Sequence, residues 1–494
     1  MKSAFTSAAL AILGLLLGSC SLSPHYERPA VPAPPAAYKE MSEWQRATPA
    51  DSVARGRWWT MFADTDLEAL EAQATEANQS LKAALARLEQ ARAQTRIARS
   101  AWFPLVTADA QVTRAQASVY TSGFVPGQTR TGNSFALGGD LSYEIDLFGR
   151  IRNSVAGARA TEQATAGDAA ALDLAVHAEL ATDYFTLRGL DVEQQLLDRT
   201  VDDYARALGL TQNLYRGGAA AISDVQQAEA QLESARTQAE DTRLRRAQTE
   251  HAIAVLLGRE PSAFGLSVRP NEKFAPLPEV AVGLPSKLLE RRPDVAAAER
   301  RVAAANAAIG VARAAYFPVL DLLGSAGWQS PSTAALLTAP ASYWSLGPQA
   351  LATVFAGGLH VAQSAQAHAV YDEQVANYRS TVLSAFQDVE DNLAALRQLR
   401  RESVSQAAAV TATQGALDQA NLRYRGGIVT YLEVVSTENA ALAARLTAAD
   451  IEIRRATATV LLVKALGGDW PVAGERSLAD NQRGRAAQPV DDPQ

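Results

Sequence analysis

Polar and apolar positions follow two different periods along this chain. From Ser134 to Leu147 the period is two. Phe135, Leu137, Gly139, Leu141, Tyr143, Ile145 and Leu147 fall on one side of an extended segment, and Ser134, Ala136, Gly138, Asp140, Ser142, Glu144 and Asp146 on the other. One face is therefore apolar and the other polar or acidic. A membrane β-strand needs about 9–11 residues with this alternation; an amphipathic strand on a soluble sheet has the same pattern, and the pattern alone leaves both open. A partner strand is expected at about residues 103–117, joined to the first by a Gly-, Ser- and Thr-rich tip. Farther on, Leu320, Leu322, Gly324, Ala326 and Trp328, then Trp344, Leu346, Pro348, Ala350, Ala352 and Val354, predict strands at about 317–328 and 343–356. Pro348 marks a bulge or an edge interruption.

The remaining pattern is helical. No proline occurs between Pro126 and Pro261, or between Pro348 and Pro471, and both gaps are rich in good helix formers. Each gap is broken mainly by an Arg-Gly-Gly, a helix stop and turn. The first stretch, Arg152 to Asn213, would extend ~90 Å as a helix. After the turn a heptad-like row follows in each gap: Ile222, Val225, Ala228, Leu232, Ala235 and Ala239, then Tyr431, Val434, Thr437, Ala441, Ala444 and Ala448. The row is narrow and rich in small residues, so these helices need several neighbours.

The two gaps belong to a duplication. Arg96 to Leu105 resembles Gly310 to Val319, Tyr215-Arg216-Gly217-Gly218 recurs as Tyr424-Arg425-Gly426-Gly427, and Leu257-Gly258 as Leu466-Gly467, in the same order. The organisation expected is a leader at 1–19, a tether and equatorial segment at 20–60, repeat 1 at 61–258, a linker at 259–285, repeat 2 at 286–468 and a tail at 469–494. Four strands per chain cannot close a barrel, and open edges do not survive in lipid. If the strands are membrane strands, the barrel is shared between chains.

Composition narrows the function. The 494 residues carry a formal charge of −7, which offers nothing to neutralise nucleic-acid phosphates. Mean hydropathy is −0.09, unlike a polytopic helical membrane protein. Cys20 is the single cysteine, which excludes disulfides and cysteine-based zinc sites. His360 and His368 lie too far apart along a helix to share a metal, and no P-loop, GxSxG or HExxH occurs. No catalytic residue, metal or cofactor is expected, and no enzyme. Trp58 and Trp59 read as packing anchors.

Lys2 followed by the apolar run Ala8 to Leu17 reads as an export signal. Its end, Leu17-Gly18-Ser19-Cys20, resembles a bacterial lipoprotein signal, which implies acylation of Cys20 by covalent lipid such as palmitate. Ser21 in place of aspartate favours the outer membrane. Five prolines between Pro24 and Pro35 suit an extended tether.

Taken together, Cys20, Trp58-Trp59 to Leu67, Tyr143 to Arg150, Leu288 to Asp294, Tyr316-Phe317-Pro318, the two Tyr-Arg-Gly-Gly turns and Leu466 to Trp470 resemble the TolC-type outer-membrane factors, in their NodT/OprM-like lipoprotein branch. The resemblance implies an α+β membrane protein. Three chains would share a 12-stranded β-barrel, continuous with a periplasmic α-barrel of long antiparallel helices. It implies a passive efflux duct in the outer membrane of a Gram-negative bacterium, working with a periplasmic adaptor (membrane fusion protein) and an inner-membrane transporter of the RND class. Other readings are an exit duct for type I protein secretion and a lipid-anchored periplasmic coiled-coil scaffold. Residues Tyr215, Arg216, Gly217 and Gly218, with Tyr424, Arg425, Gly426 and Gly427, would form adaptor-docking tips. Asp224, Tyr431, Leu432, Glu433 and Ser436 match the family's periplasmic gate. Ser436 stands where some relatives carry aspartate, so Leu432 with Glu433 or Glu438 is the substitute constriction. Asp140, Glu144 and Asp146 would face the barrel lumen.

Overall fold

A computed structural model describes residues 23–31, 39, 55–116, 118, 120, 131–269, 277–278 and 292–468. Cys20, the 1–19 leader, most of the tether, the hairpin tip at 121–130, much of the linker and the 469–494 tail lie outside the described residues.

The elements run in the order α1 (Thr65–Ala77), α2 (Gln79–Ser100), β1 (Leu105–Gln116), β2 (Thr131–Glu144), α3 (Arg150–Arg216) and α4 (Ile222–Leu256), then α5 (Pro293–Ala314), β3 (Val319–Ser330), β4 (Ser342–Leu351), α6 (Leu359–Arg425) and α7 (Tyr431–Ala465). The repeat is visible element by element. Helices α3 and α6 each have 67 residues, α4 and α7 each have 35, and α2 and α5 each have 22. The two repeats differ in the connection between their paired strands, where a length change leaves the helical register intact.

The strands form one antiparallel sheet in the order β1-β2-β3-β4, so β1 and β4 are edges. Two strands end earlier than the alternation suggested: β2 keeps its 14 residues but starts at Thr131, and β4 has 10. β2 stops at Glu144 because Asp146 turns to the next helix: its carboxylate accepts from the backbone N–H of Ile151 (3.1 Å) and Arg152 (2.8 Å). Those are first-turn donors that a helix cannot satisfy by itself. Ile145 contributes one more rung, its N–H donating to the Leu320 carbonyl, but Leu147 lies outside the strand. β4 ends at Leu351, so Ala352 and Val354 are not strand residues. Pro348 pairs in continuous register with Leu322, without a bulge, because an edge strand has one row of N–H groups free of partners.

The chain forms two compact units. Among the described residues, one holds those within Met1–Ala30, Arg87–Ala166 and Ala297–Arg379, including the sheet. In it, residues 23–30 lie as a strap. Asn306 donates to the Pro24 carbonyl (3.0 Å), Tyr26 donates to Glu299, and Arg28 donates to the Tyr378 hydroxyl (3.0 Å).

The other unit holds the described residues within Val31–Ala86, Gly167–Ala296 and Ser380–Gln494. Its main core joins Trp59, Phe62, Leu67 and Leu70 to Leu180, Tyr184 and Leu187 of α3, Ile253 and Leu257 near the end of α4, and Val460 of α7. Fully burying such a side chain stabilises by about 1.5–3 kcal/mol. Asp64 caps α1, accepting from the N–H of Asp66 and Leu67, and Tyr184 donates to the same carboxylate at 2.6 Å.

Helix α4 ends in a left-handed glycine. Gly258 has φ +64°, and Arg259 N–H donates back to the Ala254 carbonyl at 2.9 Å. A methyl group on Gly258 would meet the Ala77 carbonyl oxygen at 2.5 Å, whereas one on Gly217 finds only ordinary contacts. Gly258→Ala should therefore destabilise beyond the roughly 1–2 kcal/mol of a left-handed alanine. Gly217→Ala should be close to neutral, as checked by thermal unfolding of the two variants.

Candidate functional site

The register sorts the sheet into two faces. Val106, Ala108, Ala110 and Val112 of β1 align with Leu141, Gly139, Leu137 and Phe135 of β2; these continue into Gly324, Ala326 and Trp328 of β3 and Leu346 and Trp344 of β4. This face is apolar and open: Val112 is 74% exposed, Trp344 80% and Leu346 64%. The other face carries Thr107, Asp109, Gln111, Asp140, Asp321, Ser325 and Ser345 by the same register. Ser325 and Ser345 share a hydrogen bond of 2.7 Å, and Gln329 donates to Ser134 at 3.1 Å.

Asp109 and Asp321 were not singled out by the sequence pattern. The signal was their parity within β1 and β3, which becomes readable only when the register is known. Asp140 sits on the polar face as expected. Glu144 ends β2 and is paired with Arg150. Asp146 lies beyond the strand and caps α3, so its backbone-bound carboxylate is not part of the strand wall.

Glycines shape that wall. Gly138 and Gly327 are paired neighbours between Asp109 on β1 and Tyr343 on β4. A Cβ on Gly138 would meet the Tyr343 hydroxyl at 2.5 Å, and one on Gly327 would meet it at 3.0 Å. The tyrosine lies flat across the two bare positions.

Aromatic residues gather where strands meet helices: Trp102 and Phe103 before β1, Phe148 after β2, Tyr316 and Phe317 before β3, and Phe355 after β4. Phe148 and Phe317 stack with centroids 4.7 Å apart, and Phe103 and Phe355 stand in the open. Aromatic belts of this kind flank the apolar band of membrane barrels. Among the described residues, no helix is long and apolar enough to cross a membrane.

At the far ends of the long helices the duplicated motif makes the same backbone turn twice. Gly218 (φ +74°) and Gly427 (φ +68°) take the left-handed position. Ala219 N–H donates to the Leu214 carbonyl (2.8 Å), and Ile428 N–H to the Arg423 carbonyl (2.9 Å). Side chains differ between the copies. Tyr424 packs against Tyr431 at 5.5 Å and joins a cluster with Ala228, Ala420, Val434 and Val435. Repeat 1 has Ile222 at the position of Tyr431; Ile222 is exposed rather than buried in the heptad row, and Tyr215 is left open. Arg216 bonds to Asn213.

Of the gate residues suggested by the resemblance, Leu432 is exposed, Tyr431 is buried and Ser436 is exposed. Glu433 is paired with Arg423 at 2.6 Å, which ties the start of α7 to the end of α6. Asp224 accepts from the Ala221 N–H at 3.3 Å, which caps the first turn of α4. Glu438 is half-buried, and burial, with Asp203 adding repulsion, pushes its carboxyl up to about 7.

A second polar cluster lies in the main core of the same unit. His177, 3% exposed, stacks on Trp59 at 4.5 Å and hydrogen-bonds through Nδ1 to the fully buried Glu71 at 2.5 Å. Its Nε2 lies 3.5 Å from Asp173. Burial opposes the imidazolium, but bonding to Asp173 and Glu71 prevails and raises His177 to about 9. Among the described residues no group of His, Cys, Asp and Glu could hold a metal ion. Trp59 is a packing residue, half of a stacked pair.

The chain matches the outer membrane efflux protein family in two stretches, residues 70–259 and 284–468. It is 33% identical to the outer membrane protein OprJ of Pseudomonas aeruginosa, over 98% of this chain and all of that one. Among solved structures it is similar to the outer-membrane channel OprN, with TM-score 0.82 and 30% identity over 91% of this chain and all of OprN. It is also similar to the Campylobacter jejuni CmeC outer membrane channel, with TM-score 0.87 and 25% identity over 95% and 98% of the two chains.

The raised His177 value fixes a sign. The folded state holds the proton more tightly than the unfolded chain, so this stabilisation is present below about pH 6.5 and lost as pH rises through about 9. The melting temperature should fall between about pH 7 and pH 10. His177→Gln should flatten that slope, read by thermal scans of both proteins.

Proposed function

The chain belongs to the outer membrane efflux protein family, and from that premise we propose that three copies of it form a gated duct for small molecules. It is an outer-membrane channel component of an efflux system in a Gram-negative bacterium. The observation that carries the trimeric reading is the sheet. Its apolar face is open, and its edge strands β1 and β4 each leave a row of backbone groups without partners. In lipid those rows must be paired, and joining β4 of each copy to β1 of the next closes a barrel of twelve strands. The apolar face then meets lipid. Asp109, Asp140 and Asp321 line the lumen, with Glu144 neutralised at its mouth by Arg150. The long helices close in the same way into an α-barrel.

Anchoring is by acylation of Cys20. Within the strap, Ser23 lies against Gly310 on α5 and near Asn153 on α3. Multiple acyl chains supply about 0.8 kcal/mol per buried CH₂.

The tips receive a periplasmic adaptor, which links the duct to an inner-membrane transporter, of the RND class. Docking uses Tyr215, Arg216, Gly217 and Gly218 in one copy of the turn, and Tyr424, Arg425, Gly426 and Gly427 in the other. Gly218 and Gly427 also serve the backbone through their positive φ, whereas Gly217 and Gly426 are under no such demand; a close-packed partner would supply one. Leu432 provides the constriction, with Glu433 held by Arg423 and Tyr431 buried behind it. Ser436 leaves no second carboxylate one turn on, and Asp224 contributes by fixing the start of α4. No chemistry is performed and no cofactor is needed beyond the covalent lipid; energy comes from the transporter.

Mass measurement of the purified acylated protein should give a trimer, and planar bilayers should record a small current. Leu432→Ala and Arg423→Ala should raise that current several-fold without changing the mass. A monomer that conducts in no variant would overturn the duct. Cys20→Ala should remove the acyl mass by mass spectrometry and leave the trimer intact.

A further inference from the structure

Helix α7 packs near its tip through a seam of Tyr431, Val434, Val435, Ala441 and Leu442, all buried. Glu438 falls in the same seam, seven residues after Tyr431 and four before Leu442, at the heptad spacing. Its Oε2 is shielded from solvent and has no hydrogen-bond partner. The groups facing it are unhelpful to a charge. Asp203 and Tyr204 come from α3, and the buried Tyr204 hydroxyl is turned toward Gln231 rather than Glu438. From α4 comes neutral Gln231, bonded to Asn439 of α7. On α7 itself Tyr431 lies within electrostatic reach, with Tyr424 of α6 packed against it. Arg206 is engaged with Asp203 at the exposed side of α3.

We propose that Glu438 is a further gating residue of this channel, whose proton decides whether α7 stays packed on α3 and α4 behind Leu432. The inference rests on the gated-duct reading above. Protonated, Glu438 is a neutral group that the seam tolerates. Deprotonated, it is a half-buried carboxylate with one unpaired oxygen, repelled by Asp203, and the helices separate to let water reach it. Because the folded state raises this carboxyl to about 7, close packing is favoured below the ordinary carboxylate range and lost as pH rises through about 7. The duct therefore tightens in mild acid and loosens at mild alkaline pH.

The duplication supplies an internal control. Glu229 of α4 stands at the equivalent position, 209 residues earlier by the offset that relates Tyr215 to Tyr424, and it is exposed. The same side chain thus occurs once in solvent and once in the seam.

The test combines single-channel current with hydrogen exchange of residues 431–446, corrected for intrinsic rates, on acylated trimers between about pH 5.5 and about 8.5. Wild-type current should rise through about pH 7 while protection of this segment falls by about tenfold or more. Glu438→Gln should give low current and high protection across the range, and Glu229→Gln should behave as wild type. Asp203→Asn should move the wild-type midpoint to lower pH, and it serves if the glutamine variant fails to assemble. Identical pH dependence in wild type, Glu438→Gln and Asp203→Asn would overturn the proposal. If neither wild type nor Leu432→Ala conducts at any pH, the duct reading fails, and hydrogen exchange alone then decides for or against Glu438 as the proton-sensitive element of the seam.

Discussion

The need to pair every backbone N–H and C=O within lipid governs this protein. Its sheet has four strands, and no rearrangement of four strands can hide both edges of β1 and β4 in a hydrocarbon layer. Association between copies is therefore a condition for the sheet to exist in a membrane at all. The small residues along α4 and α7 belong to the same logic. Ala228, Ala235, Ala239, Ala441 and Ala444 are buried but bring little area each, so these helices depend on neighbours on more than one side. A chain built this way is one sector of a larger wall.

Duplication supplies most of the wall, and divergence supplies its direction. Backbone geometry at the two tips is nearly the same, with left-handed glycines and the same returning hydrogen bonds. Their side chains have parted. In repeat 2 a tyrosine pair closes over the turn and Arg423 holds Glu433; in repeat 1 isoleucine replaces one tyrosine and Asp224 is spent on its helix cap. One copy thus buries its aromatic residue while the other presents Tyr215 to whatever approaches.

Buried charged groups divide into those that face an opposite charge and those that do not. Asp191, 2% exposed, receives Arg188 at 3.2 Å and Arg246 at 2.7 Å. The same arginines bind the carbonyls of Ser267 and Leu266, which pins the start of the linker to α3 and α4. Each of these charges faces an opposite one: Asp191 has two arginines, Arg188 also pairs with Asp66 and Arg246 with Glu250, so burial here is compensated. Glu438 is met by burial and by Asp203, a like charge, and a group left in this state is poised to respond to protonation.

The sequence by itself determined the periodicities: four amphipathic strands, two long helices each followed by a shorter one, the duplication and the glycine turns. These are local, since side-chain alternation and the conformational freedom of glycine act within a few residues. The wall's polar face was legible at Asp140, but Asp109 and Asp321 needed the register, because parity has no meaning until neighbouring strands are aligned. Asp146 continued the alternation and still left the strand, since capping the first turn of α3 satisfies donors that the pattern cannot count. Only the tertiary structure decided which of two matching glutamates, Glu229 or Glu438, would be enclosed. Burial is a property of the helices that happen to lie alongside, and no single helix carries that information.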